Sequence, residues 1–405
     1  MTMQPSAPSA PAALAGLDVT VPGFFQSDGY DEVLAWLRAH DPVHRLADGT
    51  WLVTRYDDIR SVSRQPEAFA SRYGAIINDP RRVTGPDDDG GSIIHLDPPI
   101  HAEHRSLLNR RFTPRAVGRM EEAVRAATHA VLDGLAPGDE VDLVDAVACP
   151  IPVAVIADLI GVDAADRARF RRWSDALIEI PDHPDDAELM ALGAELFVYL
   201  DAVVRDRAAQ PRDDLISVLV GAEVGGAPLT RAQLVMFCMT LLVAGNETTR
   251  SLISGGLRAL AEHPDQRARL AAGESDLATT VEECLRWVTP IQAMVRTAMA
   301  DVELRGRTIP SGAVVVLLYH SGNRDEAAFG PTAHRFDIDR PPSPTHVAFG
   351  FGEHLCLGAA LARLEARIVF QELLRRFPNY ELLDGATLTP STLTRNLATL
   401  PARLR

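Results

Sequence analysis

The stretch Phe349-Gly350-Phe351-Gly352-Glu353-His354-Leu355-Cys356-Leu357-Gly358 decides the fold. Gly350 and Gly352 permit a tight, non-standard backbone ahead of Cys356, and Gly358 lets a flat group approach the chain closely. A helical pattern starts directly after the cysteine and runs to about Phe377. A helix N-terminus carries free N–H groups and positive potential, which lower a thiol's pKa and favour the thiolate. A lone cysteine is more often a buried, inert hydrophobe, and Cys149, Cys238 and Cys284 read that way. At Cys356 the glycines, His354 and the helix start point instead to a thiolate presented to open space.

Working outward, most of the chain reads as helix. Thr230 caps a pattern from about Arg231 to Glu262 with no proline in it. At 1.5 Å per residue that is roughly 48 Å, enough to cross a domain. Its centre, Ala244-Gly-Asn-Glu-Thr-Thr249, places a glycine in the helix interior at a cost of about 1 kcal/mol. Thr248 is spaced to bond back to the carbonyl of residue 244, cutting a polar notch into an apolar helix. Further helical patterns cover about 100–110, 113–135, 151–160, 165–178, 186–208 and 213–220. In Val281-Glu-Glu-Cys-Leu-Arg-Trp287, Glu283 and Arg286 lie three apart on one helix face. Strand signals are few: Pro42–Leu46 and Thr50–Thr54 flank a turn at Ala47-Asp48-Gly49, and Val302–Leu304, Thr308–Pro310 and Ala313–Leu318 predict a second small sheet. The expected architecture is mainly α with small β-sheets (α+β), one large domain over 21–405 with a long central helix. Residues 1–20 are expected to be a disordered lead.

Composition narrows the function. The 405 residues are 46% hydrophobic and 23% charged, as in an ordinary globular protein. All 40 basic residues are arginine, against 55 acidic ones, for a net charge of −15. Such an acidic chain does not suit general nucleic-acid binding, and without lysine there is no Schiff base or Walker lysine. No apolar run reaches the length of about 18 residues that a membrane span needs. The N-terminus lacks a secretory pattern, and four dispersed cysteines with no CxxC spacing fit a reducing cytoplasm.

The pattern F-G-x-G-x-H-x-C-x-G resembles that of the cytochrome P450 superfamily, the haem-thiolate monooxygenases, and the other landmarks stand in that family's order from about residue 30 onward. The resemblance implies haem b, with Cys356 as the thiolate ligand to iron. It assigns the propionates to His101, Arg105, Arg296 and His354, and puts Ala244, Gly245, Phe349 and Gly358 against the macrocycle. Glu283 and Arg286 would form a structural network with an arginine from the stretch before the cysteine loop; Arg335 is favoured over Arg340. Thr248 would hold dioxygen and its water, and Glu247 would feed protons from solvent.

The resemblance also implies separate electron donors, a ferredoxin and its reductase, since no flavin or nicotinamide fingerprint is visible. Arg110, Arg111 and Arg115 are candidates for the docking patch. The family's distal segments supply Met236, Met239, Thr240, Val243, Val288, Ile291, Met294, Val295 and Leu393, which are nearly all aliphatic or sulfur-bearing. An apolar, neutral substrate is therefore expected, a terpenoid, steroid or alkyl chain, with the acidic run Asp87–Asp89 at the entrance disfavouring anions. Two other readings stand beside the monooxygenase: a peroxide-driven peroxygenase, and a non-catalytic haem sensor or carrier. The pair Glu247–Thr248 argues against both.

Overall fold

Thr230 starts the helix that organises the molecule. Its Oγ1 accepts from the Gln233 N–H at 3.3 Å, and Gln233 Oε1 accepts from the Thr230 N–H at 2.8 Å. This reciprocal capping box satisfies two otherwise orphaned donors and begins the 32-residue helix Arg231–Glu262. The structure is a computed structural model, and its described residues are 11, 14, 16–86, 92–162, 164–180, 182, 183 and 185–405.

Two hydrophobic cores meet this helix at its two ends. Leu234, Val235, Phe237 and Leu242 pack with Pro150–Ile160, Arg167–Glu179 and Ala187–Ala209. Leu252, Ile253, Leu257 and Leu260 pack with Leu277–Val288 and Ala359–Arg376. The second contact is close: a Cβ on Gly256 would fall 2.5 Å from Phe370 Cζ. Between the two cores lies the polar stretch Asn246–Ser251, so apolar packing anchors the helix on both sides of a segment free to do chemistry.

The helical expectations hold with small shifts of boundary. The run after Thr113 divides into Pro114–Gly118 and Glu121–Leu132. The sheet expectations need correction. Val302–Leu304 and Arg307–Ile309 pair as a hairpin, but Val314–Leu318 does not join them. It sits inside a five-stranded sheet, parallel to Trp51–Val53 and antiparallel to Ala293–Ala298. Four of its five residues are buried, as suits a strand covered on both faces. Of the expected lead over 1–20, residues 1–10, 12, 13 and 15 lie outside the described residues; within the rest, Val19 is 1% exposed in a core with Phe25 and Leu34, and Leu14 and Leu17 pack against it.

Candidate active site

The cysteine loop is built as its glycines suggest. Gly350 and Gly352 adopt φ of 72° and 75°, in the left-handed region that disfavours a side chain. A Cβ on Gly352 would lie 2.1 Å from the Ser63 carbonyl oxygen. The loop closes on itself, with the Cys356 N–H donating to the Phe349 carbonyl at 2.9 Å. Cys356 is exposed, whereas Cys149, Cys238 and Cys284 are buried. The nearest atom to a Cβ on Gly358 would be Cys356 Sγ, at 4.0 Å, so glycine leaves the space beside the sulfur open.

The electrostatics differ from the expectation. The following helix starts at Ala359, beyond Cys356, with Gly358 as its cap. Although its surface is accessible, Cys356 stands deep among protein atoms, and this burial pushes the thiol up against the opposing pull of the Gly358 N–H, Arg105 and Arg363. A coordinated metal cation, which deprotonates a thiol outright, opposes this upward shift.

A cationic cluster borders the loop. Arg105 Nη2 donates to the Leu355 carbonyl at 2.6 Å. The His101 and His354 rings stand 4.2 Å apart, and His354 Nε2 pairs with Ser71 Oγ at 3.2 Å. Burial, reinforced by the neighbouring arginines, pulls His101 down to about 4 and His354 to about 2. Arg296 is 4% exposed, yet among the described residues its guanidinium bonds only to the Val295 carbonyl, at 2.7 Å. Neither Arg105 nor Arg296 forms an ion pair among the described residues. Buried cations are ordinarily paired, so Arg296 demands an anionic partner, and the half-buried Arg105 is available to one. The cluster, together with an accessible soft sulfur, fits a haem held through its iron and its propionates.

On the long helix, Thr248 Oγ1 donates to the Ala244 carbonyl at 2.7 Å, and Ala244 is exposed in mid-helix. Gly245 does not belong to this open face. A Cβ there would meet Ile156 Cδ1 at 3.1 Å, so the glycine lets the helix Pro150–Ile160 approach. Glu247 is 3% exposed, and burial pushes its carboxyl up despite Arg250 beside it.

The network behind the loop also needs a correction. Arg286 uses its whole fork: Nε and Nη2 donate to Glu283 at 2.7 Å each, Nη1 to the Asn323 and Ala333 carbonyls, and Nη2 to the Arg335 carbonyl. The second arginine on Glu283 is Arg340, whose Nε donates to Oε2 at 3.1 Å. Arg335 contributes a backbone oxygen while its residue remains exposed. Asn323, unremarked in the sequence, carries the network forward by accepting from the Val347 N–H at 2.7 Å, two residues before Phe349.

Met236, Met239, Thr240, Val243, Val288, Ile291, Met294 and Leu393 are half-buried, each keeping part of its surface uncovered. Val295 is different: it is wholly buried, in the core with Val19 and Phe25. Side chains alternate across a strand, so Met294 and Arg296 share one face and Val295 takes the other. Ser92, which no sequence signal marked, accepts from Thr240 Oγ1 at 2.8 Å. Asp87–Asp89 lie outside the described residues. Arg110 and Arg115 are exposed, and Arg111 pairs with Asp213 at 3.2 Å. No helix among the described residues is long and apolar enough to cross a membrane.

Comparison with known proteins agrees with this geometry. The family model described as cytochrome P450 matches residues 277–401. The chain is 37% identical to a methyl-branched lipid omega-hydroxylase of Mycobacterium tuberculosis, over 99% of this chain and 96% of that protein. It is 36% identical to a steroid C26-monooxygenase of Mycolicibacterium smegmatis, over 94% of each. Among solved structures, the Mycobacterium marinum cytochrome P450 CYP268A2 in complex with pseudoionone superimposes with a TM-score of 0.86, at 35% identity, over 99% of this chain and all of that one.

Proposed function

Because the chain belongs to the cytochrome P450 family of monooxygenases, we propose that it inserts one oxygen atom of O2 into a neutral, apolar molecule: a terpenoid, a steroid or an alkyl chain. The observation that carries this reading is the character of the half-buried side chains on the distal segments, three methionines among them and no charge. Methionine adapts to irregular apolar shapes. A small carboxylate would find no free cation there except Arg296, which the propionates claim, and burying it unpaired would cost several kcal/mol. Titrating the haem-loaded protein tests this. Neutral terpenoids or steroids are expected to shift the spin state in the micromolar range, while benzoate binds poorly. Tight benzoate binding with no response to the apolar set overturns the reading.

The P450 family implies haem ligated by a cysteine thiolate. Cys356 would hold it through iron, and His101, Arg105, Arg296 and His354 would hold its propionates. When bound, haem supplies the activation of dioxygen, with the thiolate favouring O–O cleavage. The chain's own residues manage protons and water. Glu247, its carboxyl raised by burial, holds a proton more readily than an exposed glutamate does. Thr248, anchored on the Ala244 carbonyl, keeps its oxygen lone pairs directed at the open face of the helix. The half-buried apolar set limits the water that reaches the reacting centre.

Electrons come from redox partners, as is general in this family, and a ferredoxin with its reductase is the pair we propose, acting in the cytoplasm. Arg110, Arg111 and Arg115 support docking on the cysteine side, because they follow the Ile100–Asn109 helix, whose Arg105 reaches the loop carbonyl of Leu355. The exposed Arg111–Asp213 pair is worth less than about 1 kcal/mol, so Arg111 is available to a partner. Reversing Arg110 and Arg111 to Glu is expected to slow reduction by a ferredoxin and to flatten its salt dependence, as charge steering is screened over roughly 8–10 Å. Unchanged stopped-flow reduction would move the docking face elsewhere.

A further inference from the structure

Behind Glu247 lies a polar cavity of about 380 Å³, and three of its lining side chains carry buried oxygens with no hydrogen-bond partner among the described residues: Glu247 Oε2, Thr394 Oγ1 and Asn396 Oδ1. Glu247, Thr394 and Asn396 are 3%, 2% and 1% exposed. The cavity is not lined by Cys356 or by any of the expected substrate contacts. It is a second space, on the other side of the acid.

Glu247 is gripped by one oxygen only. Oε1 accepts from Arg250 Nη2 and from Asn396 Nδ2, while Oε2 has no partner among the described residues. Arg250 is in turn held by Asp175 through Nη1 at 3.1 Å, and Arg171 approaches Asp175 at 3.9 Å and bonds Asp145 at 2.6 Å. Carboxylates and guanidiniums thus alternate along the wall from an exposed aspartate to the buried acid. This ladder fixes positions but does not pass a proton, because guanidinium does not deprotonate in a protein. The orphaned oxygens instead suit water, which needs two to four polar partners and ample room, and both conditions are met here.

We propose that Asn396 is a positioning residue for the acid: with Arg250 it pins Glu247 Oε1, leaving Oε2 to the hydrated cavity from which the carboxyl is reprotonated. Asn396 comes from the C-terminal segment, 149 positions from Glu247 in sequence. It is not a catalytic residue, since it acts only through Glu247. The proposal rests on the reading of Glu247 as the proton source, and the test separates the two.

The experiment uses the haem-loaded full chain with a substrate that shifts its spin state, and compares Asn396→Leu, Asn396→Ser and Glu247→Gln. Leucine keeps the volume and removes the donor; serine covers the case in which leucine fails to load haem. The expected result is normal CO and substrate spectra in the Asn396 variants. Product per reductant should fall at least threefold, and the solvent isotope effect should rise toward that of Glu247→Gln. A second readout does not depend on turnover: the carboxyl infrared band that disappears in Glu247→Gln should move when the Asn396 donor is lost. If Glu247→Gln uncouples but both Asn396 variants match the parent in coupling, isotope effect and band position, the positioning role is overturned. If Glu247→Gln itself leaves coupling and isotope effect unchanged, the proton-source reading falls, and the proposal with it.

Discussion

Replacing Cys356 with serine is expected to abolish the red-shifted absorption band of the reduced, CO-bound protein, the signature of thiolate ligation. A serine oxygen is harder and far less acidic than sulfur, and soft thiolate is what this ligand position offers iron. The other cysteines are no substitutes. Burial pushes the Cys238 thiol up to about 12 and raises Cys149 and Cys284 as well, and each is at most 1% exposed. Single replacement of any of these three by alanine should leave the band in place. Persistence of the band in Cys356→Ser would overturn the identification of the site.

Removing Arg286 is expected to do the most damage to the fold itself. Its five N–H groups satisfy both oxygens of Glu283 and three backbone carbonyls, all in a region where the pair is 2–3% exposed. Arg286→Ala leaves Glu283 with Arg340 and the Asp337 N–H, and strands the Asn323 and Ala333 carbonyls, while the Arg335 carbonyl keeps Arg340. Breaking a buried pair from one side costs about 3–5 kcal/mol, against a total stability of about 5–15 kcal/mol. The expected outcome is a sharp fall in melting temperature and in haem-loaded yield, because Asn323 links this network to Val347 and the cysteine loop. Arg286→Lys keeps the charge but has three donors and no fork, so it should fall between. Arg335→Ala, which removes only an exposed side chain, should melt like the parent, while Arg340→Ala should not. Parent-like melting of Arg286→Ala would show that the network does not brace the loop.

The sequence by itself determined what local chemistry controls. The Thr230 capping box, the long proline-free helix, the left-handed glycines ahead of Cys356 and the Thr248–Ala244 back-bond all follow from neighbours within a few residues, where backbone sterics and hydrogen bonding dictate the outcome. Tertiary structure decided what depends on how elements cross. Which arginine reaches Glu283 depends on the path of the irregular stretch after Ala333. Gly245 faces Ile156 and not the open slot because the helix turns about 100° per residue, and the sequence does not say which neighbour lies on which side. Val295 enters the core because Ala293–Ala298 is a central strand, a fact that its polar and sulfur-bearing residues hid. Asn396 grips Glu247 only because the C-terminal segment folds back across the long helix. A hydrogen bond between residues so distant in sequence leaves no periodic trace; it exists only once hydrophobic burial has packed both segments around the same cavity.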